Sequence, residues 1–416
     1  MGRGPGENRP RQSRSRRSGH LRPGQDQTGG RSRRRSARQG RSRRPVTDWQ
    51  HLLAEVPRAD FIPDDIWDAQ LRPISRRTNP AEWEKLVADN SFVITQVNNG
   101  EGGEPRFASS SCSMPSVVAE MLDALDLQPD HHVLEIGTGT GWNAALLSRR
   151  AASVVSVEVD PAIAEQARQN LERTGHDVTV VTGDGLQGFA ERSPYDRVIS
   201  TAAVREVVPP AWFEQTKAGG VLVTPWGTDW LNGVLLTLRV DPTRAVADGR
   251  FSGDIAFMRI RSQRATLFSW QPSEAEIADA DVSKSQSHGG DFDRIFNPRR
   301  GGFALGARLQ SMYAWIDWDA EGERRHVVEL DDGATKSFAR VHADLTSSKP
   351  WTVRQLGPRR LWDEVEAAYD WWHDNGEPGM DRFGMSCTPF TQWLWLDTDE
   401  NIVRELTRFD PQPKRG

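Results

Sequence analysis

Residues 133–142 read VLEIGTGTGW. A short apolar run with the texture of a buried strand ends in three glycines at alternate positions, Gly137, Gly139 and Gly141, and a helix is predicted to start at about Asn143. Such a loop lets backbone N–H groups approach a ligand with no Cβ in the way, and it opens onto a helix N-terminus, which favours negative charge. A dinucleotide-binding G-x-G-x-x-G would need its last glycine at position 142, which is Trp142, and this disfavours NAD and FAD. No Gly-Lys-Ser/Thr follows, so a triphosphate P-loop is excluded. A plain tight turn remains the alternative reading of the glycines.

Outward from this loop, short apolar runs alternate with amphipathic helical stretches: NAALLSRRA, SVVSVEVD, AIAEQARQNLERTG, VTVVTGDG, YDRVISTAA, PAWFEQTKAGG and VLVTPWG. Strand and helix alternating at these lengths predict βαβ crossovers in a doubly wound, mostly parallel sheet, an α/β Rossmann-like fold whose ligands bind beyond the C-terminal strand ends. Residues 233–241 and 254–263 are predicted as two further strands, an antiparallel edge closing the sheet. Upstream, residues 46–67 predict a short amphipathic helix and a proline-punctuated turn, residues up to Phe107 a polar irregular stretch, and residues 109–127 (SSSCSMPSVVAEMLDALDL) the start of another helix.

Two acidic residues stand where such a fold would use them. Glu158 ends the strand after the loop, about 20 residues on, where a carboxylate accepts hydrogen bonds from ribose hydroxyls. Asp184, in TGDG after the next strand, is placed to receive an exocyclic adenine N–H. Each could instead be a strand-end or helix-capping residue.

The segments VLEIGTGTGWNAALL, VVSVEVD, TGDG and YDRVISTAAVREVVPPAWFEQTKAGGVLVTPWG, together with VPRADFIP and SCSMPSVVAEML, resemble the motifs of protein-L-isoaspartate O-methyltransferases across about residues 50–263. The resemblance implies a class I S-adenosylmethionine-dependent methyltransferase whose cofactor-binding set is Glu135, Gly137, Gly139, Gly141, Glu158, Asp184 and Gly185. The three loop glycines would surround the methionine end of S-adenosyl-L-methionine, Glu158 would hold its ribose and Asp184 its adenine. Ser113 falls on the family's substrate-site serine; read structurally, it is a helix N-cap. The family usually has Gln before the following proline, and here Met114 stands in that place. Amine-directed nucleic-acid methyltransferases show Asn/Asp-Pro-Pro-aromatic where this chain has Ser200-Thr-Ala-Ala203, so no nucleic-acid substrate is expected.

The extension beyond about residue 265 holds nine of the 16 tryptophans. It predicts a hairpin with an Asp-Gly turn in residues 323–341, an amphipathic helix in 359–379 ended by Gly376 and Pro378, and a strand in 391–399. Its LWDEVEAAYDWWHDNGEPGMDRFGMSCTP resembles the extension of methyltransferases associated with ribosomally made, post-translationally modified peptides such as graspetides and lanthipeptides. The expected organisation is therefore residues 45–265 as methyltransferase domain with an N-terminal helical cap, and 266–416 as a separate Trp-rich α+β domain, either with an aromatic core or with rings lining a peptide groove. The expected function is O-methylation of a peptide aspartate in the maturation of such a peptide, the ester collapsing to aspartimide. Repair of isoaspartyl residues in damaged proteins and a non-catalytic binding module are the alternatives. The substrate partner is a peptide or protein carrying Asp or isoAsp.

Residues 1–44 carry 15 arginines against Glu7 and Asp26, a balance of +13, so the remainder holds −18 of the formal −5. This Arg/Ser/Gly-rich tail has almost no apolar residues and is predicted to be disordered. It is either a solvated tail or an electrostatic arm for nucleic acid or an acidic partner. No apolar run approaches the ~20 residues of a membrane helix, and no membrane partner is expected. The two cysteines, Cys112 and Cys387, are far apart in sequence, which argues against a disulfide framework or a cysteine-based metal site and fits a reducing cytoplasm.

Overall fold

The computed structural model describes residues 49–104, 106–241, 246–264 and 270–408. The Arg-rich tail lies outside the described residues.

An N-terminal cap comes first: helix α1 (Trp49–Glu55), strands β1 (Asp65–Trp67) and β2 (Pro73–Ser75), helix α2 (Pro80–Ala88), then β3 (Val93–Val97), β4 (Ala108–Cys112) and helix α3 (Pro115–Leu125). The four strands form an antiparallel sheet in the order β2-β1-β3-β4, with β4 at its edge. This corrects the irregular stretch expected up to Phe107. Three- and five-residue strands are too short to show an alternation, and only the burial of Ile66, Ile74, Trp83, Val87 and Val93 reveals that the segment has a core of its own.

The central part follows the predicted alternation: β5 (His132–Ile136), α4 (Trp142–Ser148), β6 (Ser153–Glu158), α5 (Pro161–Thr174), β7 (Thr179–Thr182), β8 (Tyr195–Ser200), β9 (Val204–Arg205), α6 (Pro210–Glu214), β10 (Thr216–Gly227), β11 (Asn232–Asp241) and β12 (Val246–Ser252). The order β7-β6-β5-β8-β10 is parallel throughout, the Rossmann-like arrangement of class I methyltransferases, and β11 and β12 continue it antiparallel. The predicted strand 254–263 is not one. It is an irregular strap joined to the sheet by an isolated bridge, Ala203 to Arg259, and by the Ile255 N–H to the Gly233 carbonyl of β11, and the strand lies earlier, at β12.

Beyond 265 come α7 (Glu274–Ala278), β13 (Asp281–Lys284), α8 (Phe292–Phe296), α9 (Phe303–Arg308), β14 (Tyr313–Asp317), β15 (Arg325–Asp332), β16 (Ser337–Asp344), β17 (Thr352–Leu356), α10 (Leu361–Asp374), β18 (Phe383–Cys387), β19 (Thr391–Leu396) and β20 (Ile402–Arg408). The predicted hairpin is β15–β16 and the predicted helix is α10. A separate domain from 266 is not what these elements make. Strand β18 pairs with β12, so β18, β19 and β20 extend the central sheet itself, while β13-β17-β16-β15-β14 form a second, antiparallel sheet.

The physical reason lies in the two faces of the central sheet. Val221, Val223 and Leu235 point into a core shared with α1, α3, α4 and α5. Leu222, Val234, Leu236 and Leu238, on the alternate positions, point to the other face. There α6 is only five residues long, and the apolar surface is closed by residues of the extension, including Phe303, Leu305, Val328, Val341, Trp362 and Trp372, in one contiguous core. Trp351, Trp362, Trp372 and Trp395 are buried, which fits the aromatic-core reading of the extension and removes these rings from any groove. No helix among the described residues is long and apolar enough to cross a membrane.

Candidate active site

The glycine loop leaves β5 at its C-terminal end and enters α4 at Trp142, with Gly137, Gly139 and Gly141 at φ of +90°, +53° and +88°. Gly141 is the N-cap of α4 and lies so close to α5 that a Cβ would stand 3.3 Å from Leu171 Cγ. A Cβ on Gly139 would meet only the Ser111 carbonyl, at 3.7 Å. The first glycine contact is therefore structural, and the second opens onto space between the loop and β4.

Beneath the loop, Glu135 is fully buried. It accepts hydrogen bonds from Asn143 Nδ2 (2.7 Å) and Ser156 Oγ (2.5 Å). Burial pushes its carboxyl up to about 7, against those two bonds, and nearby Glu158 adds to the rise. Both oxygens are engaged, so Glu135 braces the loop from behind and does not face the space above it.

Glu158, at the end of β6, comes directly to the loop: its Oε2 accepts the Gly139 N–H (3.0 Å) and its Oε1 the Asp160 N–H (3.1 Å). Burial raises its pKa, and the two N–H bonds offset that only in part. A carboxylate has about four acceptor positions, so two remain. Asp184 is exposed and caps the turn after β7 through Leu186 N–H (3.0 Å). Gly185 packs against the end of β5, where a Cβ would clash with Ile136 Cγ2 at 2.6 Å, and Trp212 Nε1 donates to its carbonyl. The loop, Glu158 and Gly185 thus gather around the C-terminal end of β5, with Asp184 at the rim.

The other wall of this space is built by β4. Its carbonyl at Ser111 faces Gly139, and Cys112 interacts with Thr140, so the strand leading to Ser113 lies along the loop. Ser113 is half-buried, and its carbonyl accepts from Arg58 Nη1 (3.1 Å). It does not cap α3; that position is Met114, which makes no side-chain capping bond.

Several residues of the site carry no obvious sequence signal. Asp160 caps α5 through Ala162 and Ile163 N–H and also accepts from Gln96 and Arg261. Burial opposes its ionisation, but these bonds together hold its carboxyl below the usual range. The Asp-Pro pair after a strand is an N-cap signature and marks Asp160 in retrospect. Thr201 N–H donates to Ile136 O (2.9 Å), tying the strand end after β8 to the loop. The strap 254–264 lies over that strand end, with Ala203 N–H bonded to Met258 O and Ile260 N–H to Ala203 O. Arg205 and Arg259 both pair with Asp229.

This arrangement matches a known family in sequence. The family described as protein-L-isoaspartate(D-aspartate) O-methyltransferase matches residues 91–243. The protein-L-isoaspartate O-methyltransferase of Pyrococcus horikoshii is 46% identical over 123 residues, 29% of this chain and 56% of that protein. This chain therefore spans little more than half the length of that relative. The Methanopyrus kandleri enzyme of the same name is 34% identical over 180 residues, 42% of this chain and 67% of its own. A solved structure named protein-L-isoaspartate O-methyltransferase aligns over 85% of this chain and 96% of that one, with 20% identity and a TM-score of 0.48. Protein-L-isoaspartate O-methyltransferase 2 of Polaromonas sp. is 37% identical over 214 residues, 51% of this chain and 87% of the relative, and on that match the chain belongs to the protein-L-isoaspartate O-methyltransferase family.

Proposed function

We propose that this chain transfers a methyl group from S-adenosylmethionine to the free carboxylate of an isoaspartyl residue in a protein or peptide. The observation that carries the reading is the contact of two sides: the glycine loop with Glu158 on one, and β4, running into Ser113, laid against Gly139 on the other.

The residues fit the cofactor. The open position at Gly139, the two spare acceptor sites of Glu158 and the exposed Asp184 carboxylate offer space and acceptors in the order in which methionine, ribose and adenine would meet them. When bound, the cofactor supplies a methyl group on a positively charged sulfur.

The protein's own task is alignment. A carboxylate with an ordinary pKa of about 4 is already ionised at neutral pH and needs no general base. The absence of a nucleophile–base pair from this reading is therefore consistent with the chemistry. Holding the acceptor oxygen in line can supply about 7–11 kcal/mol in favourable cases. Ser113, fixed through its carbonyl by Arg58, orients the carboxylate. Opposite charges cancel as the reaction proceeds, so the strap and β4 help by keeping water from the reacting groups.

Tailoring of an aspartate in a ribosomally made peptide drew its support from the Trp-rich extension. Of those rings Trp351, Trp362 and Trp372 lie in the core shared with the central sheet, and the relatives are named for isoaspartate, so the repair-type reading is adopted. The test is mass spectrometry of an isoaspartyl peptide and its aspartyl counterpart after incubation with the full chain and S-adenosylmethionine. The isoaspartyl peptide should gain one methyl and then lose methanol as the ester closes to the imide. Methylation of the aspartyl peptide alone would overturn the assignment.

A further inference from the structure

Four arginines crowd the strap and the strand end beneath it, and three have carboxylate partners. Arg205 and Arg259 share Asp229, and Arg261 pairs with Asp160 at 3.3 Å. Arg264 differs. Among the described residues its guanidinium donates only to neutral oxygens, Asn99 Oδ1 (3.2 Å) and Ser109 O (3.4 Å), and stands 5.9 Å from the Phe107 ring, which is 47% exposed. A guanidinium has five N–H donors, so three are left over. Arg58 makes the contrast plain: its buried guanidinium makes five bonds to backbone carbonyls, as a structural arginine should.

The position of Arg264 is what gives the surplus meaning. It binds the carbonyl of Ser109, two residues before Ser111, whose carbonyl faces Gly139 of the cofactor loop. Two residues of strand span about 7 Å. A cation with no carboxylate partner among the described residues, half-buried and so less screened than one in open water, therefore sits one or two extended peptide residues from the methyl-transfer point, beside an exposed aromatic ring. The chain beyond the tail is strongly acidic, whereas around the strap four arginines face the carboxylates of Asp160, Asp229 and Glu158.

We infer that Arg264 is a specificity-determining residue that holds a second carboxylate of the substrate, one or two residues from the carboxylate that takes the methyl group. This rests on the proposed isoaspartyl reading. The second carboxylate is either an acidic side chain or a peptide's C-terminus; both present the planar pair of oxygens that a guanidinium matches in two parallel bonds. No bond is made or broken at Arg264, which contributes binding and register. Phe107 provides the apolar contact beside it.

The experiment uses the full chain and short peptides with a central isoaspartyl residue. Each carries Glu or Gln at one or two residues' distance on either side, and a further pair differs only in a free or amidated C-terminus at that distance. Peptide affinity is measured by fluorescence anisotropy with S-adenosylhomocysteine present, and kcat and KM by methyl transfer. At one of these positions the acidic peptide should bind at least roughly tenfold more tightly than its neutral partner, the gain appearing in KM. Arg264→Gln should bring that ratio to about one with S-adenosylmethionine affinity unchanged, Arg264→Lys should keep part of it, and Arg264→Glu should favour a Lys-containing peptide. The C-terminal pair tells side chain from chain end. Equal affinity, or none, for acidic and neutral peptides in the wild type, or a preference that survives Arg264→Gln, would overturn the inference. Peptides that bind with the expected preference but are never methylated would instead overturn the isoaspartyl reading and leave Arg264 standing.

Discussion

Replacing Arg58 by alanine should loosen the acceptor side of the site while sparing the cofactor side. Arg58 is 6% exposed, and its guanidinium donates to the carbonyls of Val87, Asp89 and Ser91 at 2.7 Å, of Ser113 at 3.1 Å and of Leu86 at 3.3 Å. It closes the C-terminal end of α2, where a cation also suits the helix dipole, and ties that end to the residue before Met114. Five charge-assisted bonds at about 1.5–3 kcal/mol each would rival the whole stability of a domain, about 5–15 kcal/mol, so a simple sum overcounts. Desolvation of the guanidinium opposes it, and it lowers the Arg58 pKa. Counting only the three shortest bonds, and about 1–2 kcal/mol for each carbonyl left dry, gives a loss of about 3–6 kcal/mol. Urea unfolding followed by circular dichroism measures it. Arg58→Lys, which keeps the charge but not the fork, should recover little. In the folded fraction KM for an isoaspartyl peptide should rise, while S-adenosylmethionine binding by calorimetry stays within about twofold. A variant within about 0.5 kcal/mol of wild type would refute the reasoning, because surface substitutions already produce changes of that size.

Gly139→Val should weaken S-adenosylmethionine binding at least tenfold by calorimetry, since it adds a branched side chain in the open space and strains a φ of +53°; normal binding would make the loop a mere turn. Glu135 titrates near 7 when folded against 4.5 ordinarily, so the folded state holds more protons between those values and stability should fall as pH rises from 4.5 to 7. Glu135→Gln should flatten that slope in denaturant titrations at several pH values. Truncation after residue 264 should leave an insoluble or unfolded product, because it exposes one face of the central sheet and the edge of β12; a soluble fragment that binds cofactor would show that the two parts have separable cores.

The central βαβ pattern was legible because it is local: strand, loop and helix follow one another, which also sets Glu158 one crossover from Gly139, although the bond between them was not foreseen. The N-terminal sheet was not, since its strands are too short to carry a period. Strand β12 was hidden by Asp248-Gly249-Arg250, which reads as a turn. Gly249 is required there for another reason, as a Cβ would fall 1.9 Å from Thr237 O on the neighbouring strand. The role of Ser113 as an N-cap failed because the proline fixes the helix start one residue later, at Pro115, and puts Met114 at the cap. The division at residue 265 failed because β12 and β18 pair across a long gap in sequence that no local pattern registers. Arg58 and Arg264 are both plain arginines in the sequence, and only their partners tell a clamp from a reader.

The pairing of β12 with β18 also sets a timetable. About 130 residues separate the end of one strand from the start of the other. At about 5–20 residues per second, a nascent chain would carry an open sheet edge for roughly 7–26 s before its partner is made. During that interval the whole cofactor-binding segment has been synthesised, yet Val234, Leu236 and Leu238 still lack their cover. The second sheet, β13 to β17, emerges in between and is built almost wholly of sequence-adjacent hairpins, which close quickly. It is the part able to form first and lie over the exposed face, so a segment that looks like an appendage in the sequence serves during synthesis as a shield for the catalytic half, and slowing its translation or weakening its hairpins should show as aggregation of new chains well before any loss of activity in finished ones.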